Sequence, residues 1–152
     1  MSGMKIIKPT VITDAMLVSS SVPEPDVGEE VWDPLKAYLV GDVVIRSTTH
    51  RKYQRTTAGT TSEAPESDSA NWFDVGPTNR WAMFDRKVGT LTRSPDSLVV
   101  VLRAGGVSGV GALELTGREL KVTLTDSPGG VAVYSRTIPL DGTLITSVYD
   151  WF

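Results

Sequence analysis

The sequence of 152 residues contains no cysteine and a single histidine. Disulfides and thiolate metal sites are thereby excluded, and carboxylates are left as the main metal ligands. The absence of cysteine fits assembly in a reducing cytoplasm. No run approaches the ~20 apolar residues that a membrane helix needs, so no membrane span is expected. Residues 1–10 carry lysines but no continuous apolar run, which argues against a signal peptide. No basic stripe is present either. Residues 1–75 carry 7 basic and 11 acidic side chains and the rest carry 8 and 7, for a net charge of −3. Nucleic acid is therefore not expected as a partner. There is no Gly-x-Ser-x-Gly elbow, no His-Glu-x-x-His and no calcium loop. Neither catalytic residues nor a cofactor or metal is expected, and the chain reads as non-enzymatic.

Hydrophobic residues make up 40% and charged residues 22%, which suits a packed core over disorder. The chain is expected to be all-β, with no sustained helical period. Residues 1–30 read as an extended N-terminal arm and loop. Residues 4–13 are β-branched and interrupted by Pro9, as in an edge strand or arm. Residues 14–21 are either a short helical turn capped by Asp14 or an irregular extended piece. Residues 19–30 form a polar loop. It is expected to lie on a neighbouring subunit or on its own domain. Its acids Asp26, Glu29 and Glu30 read as a solvated charge run.

Residues 31–76 are expected to form a small unit. A strand follows the Gly41-Asp42 turn, residues 47–50 make a hairpin tip carrying His50, and residues 51–56 return with Tyr53 inward. So short a unit must take its core from Trp32, Tyr38, Tyr53 and Trp72. His50, beside Arg51 and Lys52, reads as an ordinary surface histidine.

Residues 77–152 are expected to form an antiparallel β-sandwich. Candidate strands are residues 88–92, 97–103, 107–115, 119–125, 131–138 and 144–148. Leu120, Val122 and Leu124 alternate with polar residues, and residues 126–130 make a hairpin turn. The Gly-rich residues 105–111 read as a flexible turn rather than a phosphate loop.

The densest aromatic stretch is residues 71–85, with two of the four tryptophans and two of the three phenylalanines. Rings of this size each remove roughly 150–250 Å² from water when buried. Trp72, Trp81 and Phe84 are accordingly expected to pack at a seam around Gly76-Pro77. Arg80 is expected to donate to backbone carbonyls or to Asp85, or else to contact a neighbouring subunit. Tyr134, Tyr149, Trp151 and Phe152 are candidates for a subunit contact.

The block Gly76-Pro77-Thr78-Asn79-Arg80-Trp81-Ala82-Met83-Phe84-Asp85 resembles a signature of bacteriophage tail proteins encoded with tail-tip genes. The resemblance spans about residues 32–150. It implies a tail-tip or baseplate part that forms a homo-oligomeric ring or collar in the virion and is assembled in the host cytoplasm. Its partners would be other tail proteins and fibres. The order Trp32, Tyr38, Gly41, Asp42, Val44, Tyr53, Pro65, Trp72 also resembles chitin- and cellulose-binding modules. That implies an alternative, adhesion to host-surface polysaccharide. Residues 55–61 hold no ring where such modules place their stacking surface.

Overall fold

A computed structural model describes residues 9–107 and 109–140. The protein is all-β. Seven strands form three small antiparallel sheets, and one 3-10 turn, Ala82–Phe84, is the only helical element among the described residues. The chain divides into two compact units, Met1–Gly105 and Gly106–Phe152.

The central sheet of the first unit has the order β2-β3-β4, with β2 at Val43–Arg46, β3 at Arg51–Arg55 and β4 at Trp72–Pro77. Its register sets Val44 against Tyr53 and Arg55 against Trp72. Tyr38, Val44, Tyr53 and Trp72 are buried together, with Trp32 packed against them. Tyr38 meets Trp72 edge to face at 5.2 Å, an arrangement that the ring quadrupole favours. The Tyr38 hydroxyl accepts from the Asp33 amide at 2.7 Å, so the ring is buried without an unpaired polar end. A bulge between Lys52 and Tyr53 leaves Val75 unpaired, and β4 closes on Gly76, whose φ of 129° suits only glycine.

β1, at Leu17–Ser20, follows a turn in which Leu17 N donates to Thr13 O. Residues 14–21 thus combine both expected readings, a turn and then an extended piece. Residues 9–13 carry no strand, and residues 1–8 lie outside the described part. β1 pairs with β5, at Val100–Leu102, setting Leu17 opposite Leu102. The chain therefore divides after Gly105 and not at Gly76-Pro77. The expected seam lies inside the first unit, because both β5 and the block after Gly76 bond back to the N-terminal residues.

In the second unit β6, at Glu119–Thr125, pairs with β7, at Ala132–Pro139. The turn between them closes through Gly130 N to Ser127 O, and a Cβ at Gly130 would fall 2.1 Å from Asp126 Oδ1. Residues 88–92 and the described part of 107–115 form no strand. The second layer of a sandwich is not among the described residues, and residues 144–148 lie outside them.

One loop contact carries a pH dependence. Arg46 on β2 holds Glu66 with its Nε and Nη2, the latter at 2.9 Å. Partial burial pushes the Glu66 carboxyl up, but the Arg46 bonds and a backbone bond outweigh it and leave its pKa below the ordinary value. A carboxyl held low in the folded state stabilises above its unfolded value of about 4.3. That contribution is lost as pH falls through the lower folded value. Near the surface the pair contributes at most about 0.5–1 kcal/mol. Glu66→Gln is therefore expected to lower Tm by about 1–3 °C at pH 7, with the difference from wild type closing below about pH 3. Thermal melts at the two pH values check it.

Candidate functional site

The best-organised polar cluster joins three segments that are distant in sequence: the 22–30 loop, the tip of the β2–β3 hairpin and the block after Gly76. Asn79, Arg80 and Trp81 leave β4 through a turn in which Trp81 N donates to Thr78 O. That turn points their side chains at the acidic loop. Arg80 Nε donates to Val22 O at 2.7 Å and does not take Asp85. Asp85 Oδ1 instead accepts from the Lys87 amide at 2.8 Å, and its Oδ2 is buried without a partner. Asn79 donates its amide to Glu29 Oε1 at 3.0 Å and its Nδ2 to Asp26 and to Arg93 O. Its carbonyl and Oδ1 accept from Thr92 Oγ1 and the Arg93 amide.

Glu24 lies at the centre, with its side chain only 4% exposed. Its Oε1 accepts from Thr78 Oγ1 at 2.7 Å. Its Oε2 accepts from Trp81 Nε1 at 3.1 Å and faces His50 Nδ1 at 2.8 Å. The outer ring nitrogen, Nε2, meets Asp14 Oδ1 at 2.7 Å. A neutral imidazole has one N–H, so both contacts are filled together only by the doubly protonated ring or beside a protonated carboxyl. His50 also stacks on Trp81 at 4.2 Å, and its φ of 55° turns the ring inward off the hairpin tip.

Two expectations change here. His50 is not an idle surface residue. The acids of the 22–30 loop are not a solvated run, because Asp26 and Glu29 take bonds from Asn79 while Glu30 pairs with Lys36. The loop packs on its own domain. No single-position signal marks Glu24. The nearest clue was the density of donors in residues 78–81 facing an otherwise unexplained set of acids.

The remaining sequence candidates fall into two groups. Tyr38, Tyr53 and Trp72 line the β2-β3-β4 core, where Tyr53 OH meets Thr49 Oγ1 at 3.3 Å and Arg46 covers the Trp32 ring at 4.9 Å. Trp81 joins Phe84 edge to face at 5.6 Å, away from that core. Tyr149, Trp151 and Phe152 lie outside the described residues.

A shallow depression of about 350 Å³ opens beside the cluster, lined by Ile12, Asp14, His50, Arg51, Trp81 and Phe84 among others. Its chemistry is limited. The nearest hydroxyl, Thr49 Oγ1, is engaged with Arg46 O and Tyr53 OH. Arg51 is bound by both Nε and Nη2 to Asp74, whose carboxylate raises the guanidinium pKa above its ordinary value. The two carboxylates on His50 sit on opposite ring nitrogens and cannot converge on one cation. No group of three metal-ligating side chains occurs among the described residues.

No ring stands open at residues 55–61. Arg55 is 3% exposed, lies over the Trp72 ring at 4.9 Å and donates to Gly59 O. Among the described residues the exposed aromatics are Phe73 and Tyr134. Comparison with known proteins found no matching family model, no matching curated protein and no matching solved structure.

Proposed function

We propose that this chain is a non-enzymatic structural part of a phage tail tip or baseplate. It assembles with its own copies as a ring or collar, contacts other tail proteins and offers a seat for fibres. The observation that carries this reading is how the chemistry-bearing groups are used. Trp72 and Trp81 are buried, and Glu24 and His50 are bonded to their neighbours inside the fold. What remains outside is β surface, which suits assembly. Mass spectrometry of purified tail particles tests it: the chain is expected in the particle, and its absence from intact tails overturns the proposal.

One observation favours a second reading, adhesion to host-surface polysaccharide. Phe73 is 63% exposed on β4, directly opposite Gln54 on β3. An open ring beside an amide is a stacking surface with a hydrogen-bonding neighbour. Calorimetric titration with chitin, cellulose and host glycans separates the two readings. The structural reading expects flat curves. Saturable heat that is lost in Phe73→Ala would establish the adhesive one.

A further inference from the structure

The β6–β7 ribbon has two faces of opposite character. Residues opposed across an antiparallel ladder share a face. One face therefore pairs Leu120 with Ile138, Val122 with Arg136 and Leu124 with Tyr134. The other pairs Lys121 with Thr137 and Thr123 with Ser135. The apolar face is not closed over: Tyr134 is 45% exposed, and Leu120, Val122, Leu124 and Ile138 stay part-exposed. Every buried hydrophobic residue among the described ones belongs to the first unit. An isolated two-stranded ribbon is marginal in water, so this one needs a second layer.

We propose that the second layer is the same ribbon of another copy of this chain, packed face to face about a two-fold axis running along the strands. That axis lays β6 of each copy over β7 of the other. Leu120 of one copy then meets Ile138 of the other, and Leu124 meets Tyr134. Arg136, the one charge on the face, lies over Val122 and not over its own counterpart. Its aliphatic stem packs while the guanidinium reaches the rim. The face holds no carboxylate, so nothing on it repels a like face.

A ribbon of this length presents a face about 23 Å long and 10 Å wide. Two such faces bury an area at the low end of specific interfaces, which implies affinity near the micromolar range. A contact that weak is adequate where many copies are already held in a ring. The inference rests on the reading of this chain as a part that assembles with its own copies, and it names the face that does so.

Sedimentation of the purified full chain at tens of micromolar tests it, with Val122→Glu on the apolar face and Thr123→Glu on the polar one. Wild type is expected to dimerise. Val122→Glu is expected to weaken the dimer by at least about tenfold, and Thr123→Glu by less than about twofold. A monomeric wild type, or a dimer indifferent to Val122→Glu, overturns the proposal. Because the chain has no cysteine, a single thiol adds a check that does not depend on the glutamate variants folding. A bismaleimide should give covalent dimers from Val122→Cys and few from Thr123→Cys. Equal yields, or capture of a different tail protein from position 122, overturn it. A monomeric chain still found in tails removes the ribbon contact and keeps the tail reading. A dimer that never enters tails keeps the contact and removes the tail reading.

Discussion

Glu24→Ala is expected to cost about 3–5 kcal/mol, because it strips three buried partners at once. Thr78 Oγ1, Trp81 Nε1 and the His50 ring all lose their acceptor, and the truncated side chain leaves a gap that only water could fill. The loss should appear as an earlier urea midpoint for the first unit, followed by tryptophan fluorescence. Asp14→Ala is the natural contrast. Asp14 holds the other histidine nitrogen, but its side chain is 74% exposed, so its removal is expected to cost less than about 1 kcal/mol. Equal losses for the two variants would mean that the histidine contact matters and the burial of Glu24 does not.

Trp72→Ala is expected to unfold the β2-β3-β4 unit outright at room temperature. Truncating a buried tryptophan costs about 3–5 kcal/mol in an ordinary core. This core is far smaller, with Tyr38, Val44 and Tyr53 as the other buried members. Trp72 is also the edge partner of Tyr38 and the surface on which the buried Arg55 guanidinium rests. Without the ring, Arg55 keeps a single bond, to Gly59 O, with its Nε and Nη1 already unpartnered. Loss of amide protection across β2, β3 and β4 in hydrogen exchange, with β6 and β7 unaffected, is the expected pattern. A Trp72→Ala chain that keeps β3 protected would show that the unit draws its stability from elsewhere.

The features that could be read from sequence are those held by local signals. The β2–β3 hairpin follows from its turn and from the inward spacing of Val44 and Tyr53. The β6–β7 hairpin follows from strict alternation on either side of a Pro-Gly-Gly turn. The arrangement around Glu24 could not be read this way, because its partners lie far along the chain and no period links a carboxylate at position 24 to donors at 78 and 81. Charge-run logic treats neighbouring acids as competing for water. Here a facing set of amide, hydroxyl and indole donors reverses that balance. The strand at 100–102 was legible as a strand, but its partner was not. Pairing across so long a separation depends on which edge is left open once the central sheet has formed.

The pairing of β1 with β5 has a consequence for synthesis. Leu17 emerges early from the ribosome, while its partner Leu102 emerges only after the whole central sheet has been made. Closing so long a loop is entropically costly and slow compared with hairpin formation. The first unit is therefore finished late, and its leading strand waits unpaired during translation. Recruitment into a larger particle comes after release, when that waiting edge has been sealed.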